Sequence, residues 1–184
     1  MQLIGDSRGV SVHSTCKLNL FLEIVGKRQD GYHELESVFH ELDFGDELTF
    51  EPANELSLDL KGGSAPGGED NLVLKAARLL ASEIKTSGGA RITLTKRVPV
   101  GAGLGGGSAD AAATLLALDR LWNASSDRKL LHALAARLGS DVNFFLEGGT
   151  ALCTGRSPSP PSPFRPPRPP LPHPHRRRLS SLHV

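Results

Sequence analysis

From Ser11 to Val25 apolar and polar residues alternate, with Leu18, Leu20, Leu22 and Ile24 in one register and Lys17 and Asn19 in the other. A period of two marks a half-buried strand, which puts the leucines inward and Lys17 toward solvent. Asp30-Gly31 reads as a turn, and Leu35 to Phe50 as further strand interrupted at Gly45-Asp46, with a short strand over Leu56–Leu60. After a loop from Gly62 to Gly68, Asp70 is placed to cap a helix from about Asn71 to Lys85, with Leu72, Ala76, Leu79 and Leu80 on its apolar face. Ser87-Gly88-Gly89 ends that helix. Ile92 and Leu94, flanked by Arg91, Thr93 and Thr95, predict another strand that Pro99 stops. A second helix is expected from near Ser108 to about Trp122, and a third from about Asp127 to Leu138, closed by Gly139. Strands mixed with helices in this order predict an α+β domain.

Composition agrees with a globular chain: of 184 residues, 39% are hydrophobic and 22% charged. The net charge of +1 conceals an asymmetry, because residues 157–184 hold five arginines and no acid, leaving residues 1–156 with a net charge of −4. An acidic body argues against a nucleic-acid surface, which needs clustered Lys and Arg. The two cysteines, Cys16 and Cys153, have neither disulfide-framework nor zinc spacing. No apolar run is long enough for a membrane helix, and no signal or transit peptide is evident, so a cytoplasmic location is expected. Residues 1–10 read as an N-terminal extension.

The chemistry-bearing stretch is Pro99, Val100, Gly101, Ala102, Gly103, Leu104, Gly105, Gly106, Gly107, Ser108 and Ala109, leading into an alanine-rich helix. Glycines let a backbone fold tightly round a ligand, and the following helix offers free N–H groups and a partial positive charge, together an anion site suited to phosphates. Ser108 either caps the helix or offers its hydroxyl to Mg²⁺. Gly101, Gly103 and Gly106 satisfy GxGxxG, but the acid that a dinucleotide site wants after the next strand is missing, since Asp119 falls inside a helical pattern. No Gly-Lys-Ser/Thr follows the glycines, and no His-Arg-Asp or Asp-Phe-Gly lies downstream, which excludes a Walker A loop and a protein kinase. A plain flexible hinge stays open as the non-functional reading.

Pro99–Ala112 closely resembles the second motif of the GHMP superfamily of small-molecule kinases. Lys17–Leu22 with Gly31–Leu35, and Gly139–Leu146 with Gly148–Ala151, narrow the resemblance to the 4-diphosphocytidyl-2-C-methyl-D-erythritol kinases of non-mevalonate isoprenoid synthesis. The resemblance covers about residues 11–156. It implies the superfamily's N-terminal ATP-binding domain, of the ribosomal protein S5 domain 2-like fold, and transfer of a phosphoryl group from ATP with Mg²⁺ to the 2-hydroxyl of the small-molecule substrate. Asp141 matches the family's catalytic acid, expected to take the hydroxyl proton, and Lys17 its basic partner. Tyr32 and His33 match the positions that hold the cytosine, and Asn19 a polar contact near the substrate. Read without the family, Asp141 is a helix cap, Lys17 a solvent-facing strand residue, and Tyr32 and His33 ordinary turn residues. Cys16, Ala109 and Asn143 stand where the family commonly has alanine, serine and proline.

The composition changes after Arg156: 10 of the 13 prolines lie in residues 157–184. Such a stretch is expected to be disordered or polyproline II, and its Arg165–Pro170 segment has PxxP spacing. Nothing in it resembles the third motif of the GHMP C-terminal domain. The resemblance therefore implies a missing C-terminal domain, a truncated or frame-shifted product, and weakened activity. Two other functions remain open: another GHMP kinase, acting for instance on homoserine or mevalonate, and an inactive nucleotide-binding scaffold presenting the proline-rich tail.

Overall fold

The computed structural model describes residues 1–27, 33–63, 65–154 and 162–163. Two long antiparallel strands, β2 (Gly9–Lys27) and β3 (His33–Ala53), form the spine of a seven-stranded sheet. β1 (Gln2–Asp6) folds back on β2 with Gln2 opposite His13, so residues 1–10 contribute an edge strand and the core residue Val10. On its other side β3 is shared by two strands. β6 (Thr150–Thr154) pairs with its first half and β5 (Gly89–Thr95) with its second. β4 (Leu56–Lys61) runs parallel to β5, and β7 (Ser162–Pro163) pairs with β6. The α+β reading holds; apart from Ser162 and Pro163, the proline-rich segment lies outside the described residues.

The expected break at Gly45-Asp46 is a bulge inside one strand. Thr15 pairs with Gly45 but Cys16 with Leu42, leaving Asp43 and Phe44 without partners on β2. A bulge re-aims the side chains that follow it, and Asp46 is turned fully inward.

Helix α1 (Leu72–Ile84) joins the parallel strands β4 and β5. Its cap is Asn71, whose Oδ1 accepts from Val73 N at 2.9 Å, rather than Asp70, which belongs to the preceding 3-10 turn Gly68–Asp70. Val73, Ala76, Ala77 and Leu80 enter the core, with Leu72 and Leu79 at its margin. Helix α2 (Gly106–Leu121) is buried on almost every side, and Ala109, Ala111, Ala112, Ala113 and Ala117 explain how: small side chains let it lie close to the sheet on one side and to the other helices on the rest. Helix α3 (Arg128–Leu138) is capped by Asp127 and ends at Gly139, as its sequence predicts. Helix α4 (Val142–Glu147), too short to show a periodicity, carries Phe144 and Phe145 into the core.

One expectation is reversed. Val10, Val12, Cys16 and Lys17 are buried, whereas Leu18, Leu20, Leu22 and Ile24 are 41%, 60%, 58% and 62% exposed. The alternation marked a strand correctly but could not say which stretch of it the helices would cover. They cover the first half, so Lys17 lies inside and the leucine stripe faces solvent. Among the described residues no helix is long and apolar enough to cross a membrane.

Candidate functional site

β5 leads through Lys96, Arg97 and Val98 into the glycine-rich loop, and the loop leads into α2. Gly101, Gly103 and Gly105 adopt φ of 78°, 74° and 72°, and Gly105 stands as the N-cap of α2 with no side chain bonded to the helix's first N–H groups. A cavity of about 400 Å³ opens here, within the range of small-ligand sites. The loop forms one wall, and Pro66, Asn71, Leu72 and Leu94 form the other. The site thus combines a helix N-terminus that attracts an anion with an apolar slot beside it.

Residues Pro99 to Ser108 all line this cavity. Ala109 does not: it is fully buried in the first turn of α2, and its N–H is bonded to Gly105 O at 2.9 Å. Ser108 is the third residue of α2 and makes no capping bond, so the capping reading fails while its hydroxyl stays at the cavity wall.

Lys17 lies behind the loop. Its N–H donates to Leu104 O at 2.9 Å, tying β2 to the loop backbone. Its Nζ donates to Asn19 Oδ1 at 2.6 Å, stands 3.6 Å from Asp141 Oδ2, and lies 4.4 Å above the Phe39 ring. Phe39, Phe144 and Phe145 stack edge to face beneath it, giving the ammonium an apolar floor. Asp141 precedes α4 but makes no side-chain cap bond; it accepts from Ser140 Oγ at 3.0 Å and keeps 27% of its side chain exposed. The solvent-facing reading of Lys17 therefore fails, because Lys17 is buried, while Asp141 does stand at the N-cap position of α4 but without a side-chain bond to the helix. Lys17, Asn19, Asp141 and the glycine loop, far apart in sequence, come together. Tyr32 lies outside the described residues, and of His33 only the backbone, at the start of β3, is described.

A second group of charges was not anticipated. Lys96 Nζ lies between two buried carboxylates, donating to Asp46 Oδ2 and, at 2.8 Å, to Asp110 Oδ2. Asp46 Oδ1 also accepts from Arg97 N at 2.5 Å and from Val98 N at 2.8 Å. Among the described residues Asp110 Oδ1 and Ser14 Oγ are buried with no partner beyond each other, and the Ser14 hydroxyl favours the charged form of Asp110. Burial pushes the Asp110 carboxyl up to about 6, against the pull of Lys96, and the Asp46 charge adds to the rise. The sequence did hold a signal: Lys96 continues the inward register of Ile92 and Leu94, a place where a lysine needs partners. Glu41 was also missed; its carboxylate accepts from Gly149 N at 2.7 Å and from Thr15 Oγ1 at 2.5 Å, fixing the turn after α4.

Residues 71–149 match the GHMP kinases N terminal domain. The chain is 45% identical over 149 residues to the 4-diphosphocytidyl-2-C-methyl-D-erythritol kinase of Prochlorococcus marinus, covering 80% of this chain and 48% of that protein. It is 49% identical over 150 residues to the enzyme of the same name from Mycolicibacterium vanbaalenii, covering 80% of this chain and 47% of that protein. The chain spans about half the length of the curated relatives it matches. A crystal structure of 4-(cytidine 5'-diphospho)-2C-methyl-D-erythritol kinase superposes with a TM-score of 0.73 at 43% identity, over 85% of this chain and 56% of that one. A homoserine kinase from Cytophaga hutchinsonii, 22% identical, shares the fold with a TM-score of 0.63 over 88% of this chain and 52% of that one.

Proposed function

We propose, on the premise that the chain carries the N-terminal domain of a GHMP kinase, that it serves ATP-dependent phosphorylation of the 2-hydroxyl of 4-diphosphocytidyl-2-C-methyl-D-erythritol, a step of isoprenoid precursor synthesis in the cytoplasm. The observation that carries this reading is the junction at Leu104. One hydrogen bond from Lys17 N binds the phosphate cradle to the strand bearing Lys17, and Lys17 faces Asp141.

The free N–H groups of α2 and the loop glycines hold the polyphosphate, and Pro66, Leu72 and Leu94 take the adenine. ATP supplies the γ-phosphoryl group, which passes to the substrate oxygen as ADP leaves. Asp141 accepts the proton of the attacking hydroxyl, Lys17 offsets the charge that develops beside it, and Asn19 holds the Lys17 ammonium in place. Among the described residues no three His, Cys, Asp or Glu side chains cluster around a metal position. Mg²⁺ would therefore ride chiefly on phosphate oxygens, with the Ser108 hydroxyl as its protein ligand. Tyr32 and His33 are assigned to the cytosine by resemblance alone.

The test is phosphorylation of the diphosphocytidyl substrate by the 184-residue chain beside Asp141→Asn, which is expected to lose roughly 10²- to 10⁴-fold in turnover. Turnover untouched by the substitution would remove Asp141 from its role. Turnover of mevalonate or homoserine instead would reassign the substrate, and nucleotide binding without any turnover would leave this chain the nucleotide site alone.

A further inference from the structure

We propose that Asp46 is a positioning residue for nucleotide binding: one buried carboxylate clamps both stems of the glycine-rich loop without touching the ligand. This rests on the nucleotide-site reading given above. Asp46 reaches its place because the bulge at Asp43 and Phe44 turns the following stretch of β3 inward, beneath the corner where β5 becomes the loop. Its two oxygens then engage three consecutive residues of the first stem: Arg97 N at 2.5 Å, Val98 N at 2.8 Å, and Lys96 Nζ. Lys96 carries the clamp to the second stem. It donates to Asp110 Oδ2 at 2.8 Å inside α2, and a Cβ placed on Gly106 would lie 3.1 Å from its Nζ. Pro99 to Gly105 therefore hang between two points fixed to the same carboxylate. Asp46 does not line the cavity, whereas Lys96 and Asp110 do, so its influence on a ligand runs through the backbone it holds and the Lys96 ammonium it fixes.

Positioning and simple electrostatics predict opposite signs. Removing a buried negative charge beside a polyphosphate site would tighten binding by charge alone, whereas loosening the clamp weakens it. The experiment measures Mg²⁺ATP affinity and amide hydrogen exchange on the full chain for Asp46→Ala and Asp46→Asn. The Lys17 amide is the local reporter, because it is bonded to Leu104 O in the middle of the loop. Asp46→Ala is expected to weaken nucleotide binding on the order of tenfold or more, since it frees three donors that met one charged acceptor. Asp46→Asn, which keeps an acceptor for the two backbone N–H groups but not the charge facing Lys96, is expected to fall between and decides the matter if the alanine variant does not fold. In both, Lys17 exchange should accelerate while amides in α1 and α3 keep their protection. Unchanged or tighter binding in Asp46→Asn overturns the proposal, as does acceleration spread evenly over the whole fold, the mark of a merely structural residue. A native chain that fails to bind nucleotide defeats both this proposal and the reading beneath it; native binding with unaffected variants defeats the Asp46 role alone.

Discussion

Gly103→Ala and Gly105→Ala form a pair that tests whether the loop is shaped by its own backbone or by what it leans on. Both glycines have left-handed φ, 74° and 72°. A methyl group in that conformation costs about 1–2 kcal/mol wherever it occurs. At Gly103 that is the whole cost in the free protein, because an added Cβ meets nothing within 4 Å. At Gly105 the Cβ would lie 3.0 Å from two carbons of the Phe145 ring and 3.2 Å from Lys17 Cγ. Phe145 is 1% exposed and Lys17 4% exposed, so neither has room to yield, and overpacking of this kind adds roughly 1–3 kcal/mol. Gly105→Ala should therefore lose about 2–5 kcal/mol in urea unfolding, against about 1–2 for Gly103→Ala. Nucleotide affinity should separate them differently. Gly103→Ala places its methyl in the open cavity where the phosphates are expected, so it should bind poorly for its small loss of stability. Equal losses of stability at the two positions would refute the reasoning, since the contact with Phe145 and Lys17 would then carry no energy.

Three more expectations concern the buried charges and thiols. Lys96→Met leaves Asp46 and Asp110 facing each other without a cation and should cost about 3–5 kcal/mol, measured by urea unfolding at pH 7; a loss under about 1 kcal/mol would mean that the cluster is solvated. Asp110 holds its proton more tightly in the folded state than at its ordinary value of 3.8, so its contribution falls as pH rises from about 4 to about 6 and stays low above that. The rise from 3.8 to about 6 corresponds to about 3 kcal/mol, and Asp110→Asn should flatten that part of the stability profile; an unchanged profile would place the titration elsewhere. Burial, with the Asp141 charge adding to it, pushes the Cys153 thiol up to about 11, and burial likewise raises Cys16. Both should resist iodoacetamide at pH 8 in the native chain and react after unfolding, and rapid native labelling of either would contradict its burial.

The elements that the sequence announced are those whose pattern is local. Asp127 and Gly139 bracket α3, and Ile92 and Leu94 mark β5, because caps and periodicity act within a few residues, whereas α1 stops at Ile84 with Lys85 in the left-handed region, short of the expected glycines. The elements it hid need partners from elsewhere. β1 is five residues whose place depends on β2, and α4 is six residues held by the aromatic contacts of Phe144 with Phe39 and Phe145. The reversed face of β2 has the same cause. Period two says that alternate residues share a face, while the location of α2 decides which stretch of that face is covered.

The site divides along the same line. The cradle is a continuous segment, so its glycines could be read directly, and Lys17 and Asp141 were found only because the motifs around them resemble a family. Asp46, Lys96 and Asp110 belong to no such segment: one sits in a strand, one at a strand end, one in a helix, and only folding makes them a cluster. Their cost explains why they are informative. Two carboxylates and one ammonium removed from water are not a favourable way to fill a core, and an apolar trio of the same volume would often be more stable. What an apolar trio cannot do is bind Arg97 N and Val98 N, which point inward at the start of the loop and would otherwise be buried donors without acceptors. A loop rich in glycine has little stiffness of its own, so its shape must come from its stems. Asp46 holds the backbone of the first stem without lining the cavity, while Lys96 and Asp110, which do line it, link that stem to α2.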